Sequence, residues 1–174
     1  MKLKTKLIEK AFKRKVIPFV SAMGIDTASR TGWCKATTDP NYVTFDYNFI
    51  HVKTRDKYSK YNQYIDIFSA FPMADKIIIE EAFLKFFRGK GAVKGFQLLS
   101  RIGMTAYTSF YLRGKRDSEF MLASTARKNL GFLGNAKKEL IHKQFKKLLK
   151  IKIDDEDIID AMILAINGIL EEKI

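Results

Sequence analysis

The stretch Phe19-Val-Ser-Ala-Met-Gly-Ile-Asp26-Thr-Ala-Ser-Arg-Thr-Gly32-Trp33 constrains the chain more than any other. It is an apolar, strand-suited run that ends at a lone carboxylate and passes at once into small residues and a glycine. A buried strand followed by a tight return has that form. Asp26 then sits where rigid backbone leaves the core. Trp33-Cys-Lys-Ala-Thr-Thr38 is the returning antiparallel strand, after a turn over Ser29 to Gly32. A carboxylate on a strand end can hold its oxygens still for a metal ion. The plainer role is to cap the turn.

The rest of the chain alternates strands and helices. After the turn Asp39-Pro40-Asn41, β-branched and aromatic residues from Tyr42 to Val52 predict a third strand that completes a meander. Tyr61, Tyr64, Ile65 and Phe68 recur at helical spacing and predict a helix from Tyr58 to Phe71, stopped by Pro72. Lys76-Ile-Ile-Ile-Glu80-Glu81-Ala-Phe83 carries three successive isoleucines, the mark of a strand buried on both faces. Side-chain alternation sends Glu80 and Glu81 to opposite faces, so only one of them can join Asp26. The helix predicted from Lys94 to Leu112 is apolar on more than one side, which predicts burial against its own sheet and against a second subunit. A fifth short strand, Phe120 to Ser124, leads into Ser124 or Thr125 as an N-cap. A helix from Ala136 to Lys150 follows, with Leu140, Ile141, Phe145, Leu148 and Leu149 turned inward. The expected class is α/β, with a central mixed five-stranded sheet flanked by helices.

Charge narrows the function. Lys and Arg number 32 against 19 Asp and Glu, a net +13 that predicts a polyanionic partner, nucleic acid before a membrane surface. No apolar run reaches the ~18 residues of a membrane span. One cysteine excludes an internal disulfide and suits a reducing compartment, the cytoplasm. With two histidines besides, a zinc site is disfavoured, so a bound metal should be held by oxygen. Residues 1–15 form a basic extension with Leu3, Leu7, Ile8, Ala11 and Phe12 at roughly helical spacing, either an amphipathic arm or a frayed tail. Residues 16–174 are read as one domain.

Two basic stretches are candidate nucleic-acid contacts. Phe83, Phe86 and Phe87 are interleaved with Arg88, Lys90, Lys94 and three glycines, a pattern that can stack on unpaired bases while gripping phosphates. The alternative is that the rings fold into the core. Further on, Arg127, Lys128, Lys137 and Lys138 flank Gly131 and Gly134, where backbone N–H groups and cations can meet a phosphate. The chain closes with Asp154-Asp155-Glu156-Asp157-Ile-Ile-Asp160 before a solid apolar segment. Acids there complement a helix dipole. Asp157 and Asp160, three apart, also share a face at the edge of a buried surface, where an ionised carboxylate needs a partner. Carboxylates from two strands and one helix can converge on two Mg²⁺ ions and so clamp a phosphodiester.

The order of these motifs resembles the RuvC family of Holliday-junction resolvases, which have an RNase H-like fold. The matching segments are Gly24-Ile25-Asp26, Ile79-Glu80-Glu81-Ala82-Phe83, Gly134-Asn135-Ala136-Lys137-Lys138 and Asp157-Ile-Ile-Asp160-Ala161 with Ala165, from about Phe19 to Gly168. The resemblance implies that Asp26, Glu80, Asp157 and Asp160 bind two Mg²⁺ per active site, with Mn²⁺ able to substitute, and it selects Glu80 over Glu81. It implies catalytic roles for Arg127 and Lys138 near the scissile phosphate, and a role for Phe83 in opening the junction centre. The family's usual Gly-Ile-Asp-Pro-Gly is here Gly24-Ile25-Asp26-Thr27-Ala28, the loop after Phe83 is longer and more aromatic, and the basic extension before Val16 is unmatched. These departures suggest a divergent, bacteriophage-encoded member. The expected activity is paired nicking of four-way DNA junctions by a homodimer, since two opposed cuts need two sites related by a two-fold axis. A nuclease of the same fold acting on flaps or forks, and a non-catalytic binder of structured nucleic acid, are the alternatives.

Overall fold

The computed structural model describes residues 1–28, 30–54, 56–82, 90–115 and 118–172, without the side chains of residues 57 and 90–92. Strand β1 (Lys2–Lys4) and helix α1 (Thr5–Phe12) open the chain. The meander β2 (Ser21–Asp26), β3 (Thr31–Thr38) and β4 (Tyr42–Ile50) follows. Next come α2 (Lys57–Ala70), β5 (Lys76–Glu80), α3 (Lys90–Leu112), β6 (Glu119–Met121), α4 (Ala123–Asn129), α5 (Lys138–Leu149) and α6 (Glu156–Ile169). The strands form one mixed sheet in the order β1-β4-β3-β2-β5-β6. β2 is central, antiparallel to β3 and parallel to β5.

The sheet has six strands where five were expected, because the basic N-terminal stretch is built into it. Lys2–Lys4 pairs antiparallel with β4, and α1 then buries Ile8 and Phe12. The Phe12 ring lies 6.1 Å from Phe145 and 6.3 Å from Phe132. Its apolar spacing is therefore a buried stripe.

Alternation along the central strands divides the core between two faces. Ala22, Cys34, Ala36, Phe45 and Ile78 face α6, α5 and α1. Met23, Ile25, Ile77 and Ile79 face α2 and α3, against Tyr64, Phe68, Ile102 and Phe110. Helix α6 is buried from Ile158 to Ile169 and lies directly on β2 and β3. Two glycines allow that approach. A Cβ on Gly24 would fall 2.1 Å from the Ala161 carbonyl oxygen, and one on Gly32 would fall 2.2 Å from that of Asp157. Both helix positions border the acids, so these glycines set how closely the acids approach the strand ends.

Three local expectations are corrected. Leu140 and Leu148, expected to turn inward, are exposed, because the buried face of α5 is Ile141, His142, Phe145 and Leu149. Neither Ser124 nor Thr125 caps α4, which begins at Ala123 behind Leu122 with no side-chain cap. Helix α5 starts at Lys138, two residues later than the expected Ala136. In α3 the outward apolar positions include Val93, Met104, Tyr111 and Leu112. Tyr107 is half-buried and stacks on Phe120 at 5.7 Å. Among the described residues no helix is long and apolar enough to cross a membrane.

Candidate active site

The parallel pairing of β2 and β5 brings their carboxyl ends together. Ile25 lies opposite Ile79, so Asp26 and Glu80 are the next residues on adjacent strands. Alternation puts both on the α6 side, with Ala22, Gly24 and Ile78, and sends Glu81 away to an exposed position. The choice between the two glutamates is thus settled by register. Thr27, where the turn departs from the RuvC pattern, donates its hydroxyl to the Glu80 carbonyl at 3.1 Å and ties the two strand ends together.

Asp26 is buried. Burial, a hydrogen bond to Glu80, and the charges of Glu80 and Asp160 together push its carboxyl well above the ordinary range. Asp160, one helix position before the residue seated on Gly24, is the opposite case. Burial raises its pKa, but the hydrogen bond from His142 and the contact with Lys138 outweigh that and bring it down to about 2. His142 Nε2 donates to Asp160 Oδ1 at 3.0 Å and Arg127 Nη2 donates to the same oxygen at 3.2 Å. Lys138 Nζ lies 2.8 Å from Oδ2. A buried carboxylate is stable as an ion only when so surrounded. Lys138 is in turn opposed by burial and favoured more strongly by Asp160, Asp26 and Asp157, which raise its pKa.

Asp157 shares this side of α6 but faces Arg30, whose Nη1 is 3.4 Å from Oδ2. Burial raises its carboxyl pKa, against the pull of Lys138. Arg30 also pairs with Asp155 and stacks 3.6 Å from the centre of the Phe49 ring. Asp155 accepts from the Ile158 N–H at 3.2 Å and so caps α6.

The structure thus brings together Asp26, Glu80, Asp160, Lys138 and Arg127, with Asp157 at the margin. Lys137 and Lys128 are exposed nearby in sequence, and Lys94 is exposed on α3. Lys94 lines a separate cleft of about 420 Å³ with Lys60 and Arg101. Phe83, Phe86, Phe87 and Arg88 lie outside the described residues, as does the side chain of Lys90. Sequence reasoning missed His142 and Arg30. His142 interrupts the otherwise apolar buried face of α5, four residues after Lys138, and that placement was its one available signal.

The fold itself has known counterparts. No protein-family model matches the chain, and no curated protein matches its sequence. Among solved structures, RuvC of Thermus thermophilus superposes with a TM-score of 0.66 at 11% identity, covering 88% of this chain and 99% of that one. This is the RuvC fold. T. thermophilus RuvC in complex with a Holliday junction substrate gives a TM-score of 0.63 at 12% identity, over 84% and 90% of the two chains. The yeast mitochondrial Holliday junction resolvase Ydc2 gives 0.59 at 10% identity, over 95% and 86%.

Within this RuvC-like sheet, the donor set can be tested against a divalent cation. Among the described residues no group of three His, Cys, Asp or Glu could hold a metal ion. Asp157 and Asp160 spend their oxygens on internal cations. Asp26 and Glu80 do fit one: two crowded carboxylates, oxygen donors only, on rigid strand ends, in mutual repulsion that a hard cation relieves.

Proposed function

We propose that this protein is a metal-dependent endonuclease that resolves four-way DNA junctions. The reading is carried by one observation. Two strand-end carboxylates, Asp26 and Glu80, stand side by side against a buried Asp160 surrounded by Arg127, Lys138 and His142, within a RuvC fold. Asp26 and Glu80 would hold a divalent cation, Mg²⁺ or Mn²⁺; Asp157 and Asp160 would complete a site for two only on exchanging Arg30 and Lys138 for metal. Bound there, the metal supplies Lewis acidity that makes water nucleophilic and offsets charge on the leaving oxygen.

The chain's own residues do the rest. Thr27 and the β2–β5 register keep Asp26 and Glu80 together. His142 anchors Asp160 from inside the core. Lys138 and Arg127 stand at the site as cations that can turn from Asp160 to a phosphodiester oxygen, neutralising charge as it grows in the transition state. The net +13 draws the polyanion to the surface. A homodimer would supply the second, opposed cut. Its proposed interface is the apolar cleft of about 450 Å³ between α2 and α3, bordered by Ile65, Met104 and Leu112.

The deciding experiment is cleavage of an end-labelled four-way junction with Mg²⁺ or with EDTA, by wild type and by Asp26→Asn. Paired symmetric nicks that need Mg²⁺ and vanish in Asp26→Asn, with junction binding retained, are expected. Unpaired cuts in flaps and forks would move the substrate to that class. Full activity in Asp26→Asn would remove the site.

A further inference from the structure

Lys138, whose ammonium reaches Asp160, is the first residue of α5. From there the helix runs outward for 12 residues, about 18 Å. Its inner face, Ile141, His142, Phe145 and Leu149, is buried. On its outer face Lys143 and Lys147 lie four residues apart, both exposed, and the exposed Lys150 follows as the cap just beyond the helix end. None of the three has an ion-pair partner among the described residues. Their neighbour Lys146 pairs with Asp154 at 3.2 Å.

Helix α1 packs beside α5 through the Phe12–Phe145 stack. It exposes Lys6, Lys10 and Lys13, within a stretch from Lys2 to Lys15 that holds seven cations and one acid, Glu9. That charge is fixed in place by buried Ile8 and Phe12 and by the pairing of Lys2–Lys4 with β4. A merely solubilising tail has no need of such anchors, whereas a polyanion binds ordered charge at lower entropic cost.

We propose that α5 and α1 form a sequence-neutral track for one duplex arm of the DNA, leading away from the position where the strand is cut. This rests on the reading of the active site as a branched-DNA nuclease. At about 3.4 Å per phosphate along a strand, α5 spans roughly five phosphates, and α1 widens the track. Lysines are compact charges on flexible stems, which suits phosphate contact over base readout.

The test compares wild type with Lys143→Gln/Lys147→Gln/Lys150→Gln and with Lys6→Gln/Lys10→Gln/Lys13→Gln. The probes are four-way junctions with arms of about 20 base pairs, either fully charged or carrying neutral methylphosphonates at about six phosphates next to the scissile one, and a linear duplex, titrated from 50 to 200 mM salt. With a slope near 0.9 per phosphate contact, losing three contacts should flatten the salt dependence by about 2.7, so that wild type loses roughly 40-fold more affinity than the triple variant across that range. The effect should appear on the fully charged junction and be small on the neutralised one, while cleavage at saturating protein stays at the wild-type level. Unchanged affinity and slope on the fully charged junction, or equal weakening on the charged and neutralised junctions, would overturn the track. If wild type fails to cleave any junction, the nuclease reading falls, and the linear duplex still reports whether these lysines bind DNA.

Discussion

Replacing Gly24 by alanine tests whether the seating of α6 on β2 governs both stability and the site. The added Cβ would meet the Ala161 carbonyl oxygen at 2.1 Å, the Ala165 nitrogen at 2.6 Å and Leu164 Cβ at 2.7 Å. Two of those atoms are helix backbone, so no rotamer change relieves the clash. To restore ordinary contact, α6 must withdraw by about 1 Å. Overpacking a close-packed core costs about 1–3 kcal/mol, and backbone displacement places this case near the upper end. For a chain of this length, 3 kcal/mol lowers the melting temperature by roughly 6–12 °C. The same withdrawal carries Asp160 away from Asp26, and a misplacement of about 1 Å can cost about 100-fold in rate. Urea and thermal unfolding would measure the first effect. Junction cleavage well below the melting temperature would measure the second. Gly95→Ala is the control: nothing lies within 4 Å of a Cβ there, and the change should stabilise α3 by about 0.5–1 kcal/mol. If Gly24→Ala melts within about 2 °C of wild type and cuts at full rate, α6 is not seated on Gly24 and the packing account is wrong.

Three further outcomes are expected. Asp26 has a raised pKa in the fold, so its stabilising contribution is complete below the unfolded value of about 4 and is lost as pH rises through the folded value. Asp26→Asn should therefore match wild type at pH 4 and melt higher at pH 8, and Mg²⁺ should raise the melting temperature of wild type alone; an equal deficit for the variant at both pH values would contradict this. Asp155→Ala removes the cap of α6 and should cost about 1 kcal/mol in urea unfolding, while Asp155→Asn keeps an acceptor and should cost less; equal losses would show that charge alone matters there. Cys34 is fully buried, and burial raises its thiol pKa, so a disulfide reagent at neutral pH should label it only at the rate of unfolding; labelling within seconds in native buffer would show that β3 is accessible.

The elements legible in the residues are those with a local cause. The apolar run before Asp26 and the three isoleucines before Glu80 announce buried strands, because a strand covered on both faces must be apolar at successive positions. The acids before Ile158 mark a helix start for another local reason, the helix dipole they complement. Composition likewise carries the expectation of a polyanionic partner, since net charge needs no fold. Tertiary structure put Glu80 and not Glu81 beside Asp26, through the register of Ile25 against Ile79, a choice that side-chain alternation left open and the family resemblance had favoured. It turned a basic, amphipathic stretch into α1, because the rings that cover Phe12 belong to Phe132 and Phe145. It also gave Asp157 and Asp160 different partners, although helical spacing placed them together. Arg30 reaches Asp157 across 127 positions of chain, and Arg127 and His142 reach Asp160 across 33 and 18. Periodicity reports which side of an element is buried; which charge a buried carboxylate meets depends on the docking of other elements, and no spacing within α6 encodes it.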